Sequence, residues 1–247
     1  MTTRARGVEA TRLKVLDAAV ALHARRLSSD VSLADVADEA GVSVQTVLRH
    51  FGTREGLLHA AAARARSEVE DERRSPAGDV GAAVRTIVAH YERRGDSVLL
   101  LLAQEATEPF AREVTSSGRA LHRRWVQDTF APLLTAGADA GADAGADAEE
   151  AVDLLVVATD VYTWKLLRRD RGLSVARTRS RMESLVRAVL ASHEALVIHA
   201  TPATRGGPAN RAGPAKRAVP ATTRTVPATT RTVPAATRAA PATRAPH

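Results

Sequence analysis

The chain has 247 residues, 45% of them hydrophobic but only 3% aromatic, so any core must be built mainly from Leu, Val and Ala. It has no cysteine, which excludes a disulfide framework, thiolate catalysis and cysteine-ligated zinc or iron–sulfur. A formal charge of +7, carried by 32 Arg and only 3 Lys (Lys14, Lys165, Lys216), invites a polyanionic partner.

Apolar residues recur at three- and four-residue spacing along the first 198 residues, without strand-like alternation, so an all-α fold is expected. A first helix carries Leu13, Leu16, Val20 and Leu27 near one face. Its apolar stretch is interrupted by Asp17 and His23, which is unlike a secretory leader. A second helix starts at Ser32, where Ser32 and Asp35 form a variant capping box, and it buries Val36, Ala37 and Ala40. Gly41 ends it, Ser43 caps a third helix from Val44 to Phe51, and Thr53 caps a fourth that runs to about Arg74.

Beyond the turn cluster Ser75-Pro76-Ala77-Gly78-Asp79, helices are expected near 80–93, 97–106 and 109–135. The threefold Gly-Ala-Asp-Ala repeat over 136–148 reads as a flexible connector. Two last helices, near 149–169 and 174–198, carry apolar faces, the first from Val152, Leu155, Val156, Thr159 and Tyr162, the second from Met182, Leu185, Val189 and Leu196. This makes nine helices. The longest strongly apolar run, Val98 to Ala103, is far short of the roughly 20 residues of a membrane helix, so a cytoplasmic protein is expected.

From residue 199 onward the chain is Ala, Thr, Pro and Arg, with a Pro every six or seven residues from Pro202 to Pro241 and a basic residue between successive prolines. Such a segment cannot be helical and has too few large apolar side chains to fold, so a disordered tail is expected over 199–247. It holds 8 basic and no acidic residues, against 27 basic and 28 acidic in the rest. The positive charge therefore belongs to the tail. Within the body, residues 1–66 are mildly basic and 67–198 mildly acidic.

The segment from Ser32 to Phe51 is a helix-turn-helix: two short helices joined by Gly41-Val42-Ser43. Ala37 is small where the second helix crosses, and Gly41 suits the positive φ of a helix end. Val42 plugs the corner while Val47 and Phe51 pack inward. Gln45, Thr46 and Arg49 are left on the exposed side, with Gln45 and Arg49 on one stripe, and these are side chains suited to adenine and guanine edges in a major groove. The simpler alternative is an ordinary αα-hairpin with a solvated face.

Three blocks in order, Val15-Leu16-Asp17-Ala18-Ala19, the helix-turn-helix itself, and Phe51-Gly52-Thr53-Arg54-Glu55-Gly56-Leu57-Leu58, closely resemble the TetR family of bacterial transcriptional regulators over about residues 10–63. The segment Val161 to Asp170 also looks like the penultimate helix of one TetR subgroup. The resemblance implies an all-α homodimer with a helix-turn-helix domain at 1–56, a larger ligand-binding and dimerisation domain at 57–198, and then the tail. It implies that Val44, Gln45 and Arg49 face base edges and that Thr46 and His50 contact phosphate or sugar, with Ser32 and Arg54 reaching phosphates. Two positions depart from the family: Leu48 stands where a Tyr is usual, and His23 where helix one usually buries a Phe.

The family senses small molecules, and the candidates for lining a pocket here are Phe110, His122, Trp125, Tyr162 and Trp164, each of which also serves as bulky core in a chain this poor in aromatics. The partners expected are thus double-stranded operator DNA, an unidentified small-molecule effector and a second copy of the chain, with no membrane and no cofactor. No phosphate-binding Gly loop, Gly-x-Ser-x-Gly or His-Glu-x-x-His pattern argues for an enzyme. The competing reading is a nucleoid-type architectural protein that binds DNA mainly through the basic tail, by counterion release.

Overall fold

In the computed structural model, residues 3–135 and 144–200 are described. Among them the secondary structure is helical throughout: α1 (Thr3–His23), α2 (Leu33–Ala40), α3 (Val44–Phe51), α4 (Arg54–Glu72), α5 (Val80–Gln104), α6 (Pro109–Leu134), α7 (Ala144–Thr159), α8 (Val161–Lys165) and α9 (Val175–Ala200). A 3-10 turn, Ser28–Asp30, precedes α2, and α8 runs on into a π-helical turn, Leu166–Asp170.

The capping residues act as their chemistry dictates. Ser32 accepts from the Asp35 amide while the Asp35 carboxylate accepts from the Ser32 amide, closing the capping box at α2. Ser43 and Thr53 accept from the amides of Thr46 and Gly56 at the starts of α3 and α4. Gly41 has φ 66°, a left-handed conformation that ends α2 at little cost only because the residue lacks a Cβ.

Two hydrophobic clusters result. One joins Val15, Leu16, Ala19 and Leu22 of α1 to Val36 and Ala37 of α2, Val47 of α3 and Leu57 and Ala61 of α4. The other joins Val84, Ile87, Val88 and Tyr91 of α5 to Val126 and Phe130 of α6, Leu155 of α7, Trp164 of α8 and Met182 and Val186 of α9. α4 starts within the first cluster, and the residue that ends it, Arg73, is buried beside α5 and α6.

The helix count is nine among the described residues, as expected, but two of the nine differ in kind. The helices expected at 80–93 and 97–106 are the single α5. Gly95 is not a break, because it sits inside a continuous helix where the Trp164 ring lies against its bare Cα. Conversely, the helix expected over 149–169 is cut at Asp160, which adopts an extended ψ of 155° and uses its carboxylate to accept from the Tyr162 amide. The cut turns Tyr162 out to solvent, away from the buried face of Val152, Leu155 and Thr159.

Leu27 lies beyond the end of α1, at the 3-10 turn, and is exposed; Leu185 is exposed on α9 as well. Residues 144–148 of the Gly-Ala-Asp-Ala repeat belong to α7, and residues 199 and 200 to α9. The rest of the expected connector, 136–143, and the tail from 201 lie outside the described residues. No described helix is long and apolar enough to cross a membrane.

Candidate nucleic-acid interface and buried polar cluster

Val47, almost fully buried, and the half-buried Phe51 hold α3 against α1, α2 and α4. The amphipathic turn then carries Val44, Gln45 and Arg49 to the outer surface, all three exposed, with Thr46 and His50 half-buried beside them. The Thr46 hydroxyl is 3.0 Å from that of Ser43. The exposed arginine at position 49 has no acidic partner among the described residues, so α3 presents a free guanidinium and a free carboxamide one turn apart.

Ser32 and Arg54 are placed differently. The Ser32 hydroxyl donates to the Asp35 carboxylate and accepts from its amide, so it is spent on capping α2. Hydrogen bonds from the Ser32 side chain and amide, then from Arg26, hold the Asp35 carboxyl well below the usual carboxylate range. Arg54, half-buried, donates to the carbonyls of Ser28 (2.7 Å) and Val31 (3.4 Å), fastening the 3-10 turn to the start of α4. The same turn is held from α5, where the buried Gln104 accepts from the Ser28 amide at 2.7 Å and donates to Leu100 O. Replacing Gln104 with Met strands that buried amide and is expected to cost about 1–3 kcal/mol in urea unfolding. A loss below about 0.5 kcal/mol would mean that the amide finds water instead.

His23 is a half-buried histidine. Its Nδ1–H donates to Ala19 O at 2.8 Å, its ring meets Phe110 edge-on, and burial lowers its pKa, so it is neutral. Leu48 is half-buried on α3.

The five aromatic and histidine candidates of the larger part do not converge on one point. Phe110 packs between His23 and His59, Tyr162 is exposed, and Trp164 is fully buried beside Tyr91 with its Nε1 donating to Glu92 at 2.8 Å. His122 and Trp125, however, stack on one another at 5.7 Å, and they border a buried polar cluster.

At its centre is Arg73, the residue that ends α4, only 8% exposed. Its Nη2 faces His90 Nε2 at 3.0 Å and its Nη1 faces His122 Nδ1 at 3.5 Å. An arginine only donates, so both imidazole nitrogens are acceptors and both rings are neutral. The other nitrogen of each ring donates: His90 Nδ1–H to Glu72 at 2.9 Å, His122 Nε2–H to the Thr159 hydroxyl at 3.2 Å. Thr159 passes its own proton to Leu155 O, and Tyr91 donates to Thr159 O. Trp125 Nε1 donates to Arg73 O at 2.7 Å.

Burial, reinforced by the Arg73 charge, lowers His90 to about 4 and His122 to about 3. Glu72 is held at about 2: burial opposes its charge, but Arg94 and His90 both donate to it. His90 was legible in principle, since it falls three residues after Ile87 on the apolar face of α5. Arg73 was not, being one of a charged run just before the turn.

Residues 15–61 match the family model described as bacterial regulatory proteins, tetR family. Among solved structures, a tetR-family transcriptional regulator from Streptomyces coelicolor aligns with a TM-score of 0.57 at 17% identity, covering 78% of this chain and 93% of that one. A transcriptional regulator from Rhodococcus sp. Rha1 aligns with a TM-score of 0.50 at 17% identity, covering 72% of this chain and 95% of that one. No curated protein matches the chain. At these identities the structural likeness establishes the fold, and the family model marks residues 15–61 as similar to the tetR family of bacterial regulatory proteins.

Proposed function

Taking residues 15–61 as a TetR-type DNA-binding domain, we propose that the chain is a cytoplasmic transcriptional repressor, not an enzyme, that holds a palindromic operator as a homodimer and releases it when a small molecule binds. The observation that carries this reading is the outer face of α3. Val44, Gln45 and Arg49 stand free on a helix whose other face is anchored by Val47. Arg49 suits a guanine edge, Gln45 an adenine edge and Val44 a thymine methyl. Thr46 and His50 flank them at the level of the backbone. Arg54 and Ser32 act mainly by holding the start of α2 and α4 in place, and each offers a phosphate at most the donors that this task leaves free.

In this reading residues 1–56 bind DNA and 57–198 bind effector and partner. The homodimer is supported by a set of large apolar side chains on α7, on α8 with its π turn, and on α9. Leu154, Val157, Tyr162, Leu166 and Leu185 are between 45% and 63% exposed. Two copies joined by these helices are isologous, so their recognition helices meet successive major grooves of a palindrome. Of the effector candidates, His122 and Trp125 are the pair that the structure stacks together; Phe110, Tyr162 and Trp164 belong to other neighbourhoods.

Genome-wide mapping of binding sites is the direct test, with a short inverted repeat expected under each peak. On that repeat Arg49→Ala or Gln45→Ala should cost about 1–3 kcal/mol in a fluorescence-anisotropy titration, with little change on random DNA. Equal losses on both DNAs would remove direct base readout from the reading.

A further inference from the structure

A buried guanidinium ordinarily faces a carboxylate, because an unpaired charge in a low-dielectric interior is costly. Arg73 does not. Among the described residues no carboxylate stands within ion-pair distance of it, and its Nη groups face two neutral histidines. Its Nε–H is buried with no acceptor among the described residues. Glu72, its neighbour in sequence, is committed to Arg93, Arg94 and His90. Asp160 is near enough to be felt electrostatically, but its carboxylate caps the start of α8. The fold thus keeps a cation inside the larger part of the protein with donors to spare and no anion in contact.

The surroundings define what would complete it. Around Arg73 stand the stacked His122 and Trp125 on α6, the Tyr91 ring 5.8 Å from the guanidinium carbon on α5, and the Thr159 hydroxyl at the end of α7. The planar fork of an arginine matches a carboxylate in two parallel hydrogen bonds, and the apolar rings accept the body of the acid.

We propose that Arg73 is the anchor for an organic-acid effector, its guanidinium receiving the effector's carboxylate between α5 and α6 while Trp125 and Tyr91 receive the apolar body. The inference rests on the reading of the chain as an effector-released regulator, and it specifies the chemical class of that effector. It also gives release a physical route. Arg73 ends the helix whose first turn holds the 3-10 turn ahead of α2 through Arg54, so an anion that draws the guanidinium from the histidines pulls on the far end of α4.

Benzoate, phenylacetate and octanoate, each paired with its neutral amide, are the probes, applied to the full chain at pH 7. At least one acid should raise Tm by about 3 °C or more, as a ligand of the native state does, while its amide leaves Tm unchanged. The same acid should shift the imidazole signals of His90 and His122 in the NMR spectrum of the unmodified protein, a readout that requires no variant to fold. In Arg73→Lys, which keeps the charge but not the fork, the affinity should fall at least about tenfold.

No response to any acid, or an equal response to acid and amide, overturns the proposal. Operator binding separates this failure from failure of the broader reading. Acids that bind at Arg73 without loosening the operator leave the anion site standing and remove the effector role. A neutral compound that releases DNA equally from unmodified protein and Arg73→Lys keeps the regulator and removes the anion anchor.

Discussion

Gly95→Ala should destabilise the protein even though it places a better helix former within a helix. A Cβ at this position would stand 2.4 and 2.6 Å from two ring carbons of Trp164. The ring has little freedom to retreat. Its Nε1 is bonded to Glu92, Tyr91 packs at 5.8 Å, and the Arg169 guanidinium covers it at 4.6 Å while being held by Asp96. Overpacking of this kind costs about 1–3 kcal/mol or more, against about 1 kcal/mol gained in helix propensity. Trp164→Leu alone removes the largest fully buried side chain and should cost on the order of 3 kcal/mol. The double mutant decides the cause. With the indole gone, Gly95→Ala should turn neutral or stabilising in a urea double-mutant cycle. If alanine costs as much in the Trp164→Leu background as alone, the indole contact is not the reason for the glycine.

Acid should destabilise the protein well before its surface carboxylates are protonated. His90 and His122 have folded pKa values of about 4 and about 3, against 6.5 when unfolded. The unfolded chain therefore binds more protons, and stability rises with pH. The contribution is complete above about pH 6.5 and is lost as pH falls toward 4 and then 3. By pH 5 the loss is on the order of 2 kcal/mol for each histidine. Glu72, held at about 2, adds a loss of the same sign below about pH 4.5. Urea midpoints measured from pH 7.5 to 5 should show the decline, and His122→Gln should flatten it by about half. A midpoint that stays level over that range would mean that the two imidazoles are protonated in the native state, contrary to their role as acceptors for Arg73.

The helix-turn-helix was fully legible in the sequence because each of its signals is local. Ser32, Ser43 and Thr53 cap through amides three residues away, and Gly41 ends its helix by its own backbone conformation. Val47 and Phe51 face inward because they are one helical turn apart. The larger part was legible only as helices. A glycine in a helical run reads as a break, and only the approach of Trp164, 69 residues on, makes Gly95 a contact instead. An aspartate between apolar residues reads as one polar position on a helix, and the structure makes Asp160 a cap that splits it.

The positive charge of the chain, the helical class and the face that α3 turns outward were determined by the sequence alone, since composition and four-residue spacing suffice for them. Tertiary structure decided the interior chemistry. Arg73, His90, His122 and Thr159 lie on different helices, and none looks unusual beside its chain neighbours. Only their convergence produces a buried cation with neutral acceptors, because desolvation and contact depend on distances in space that no local pattern encodes.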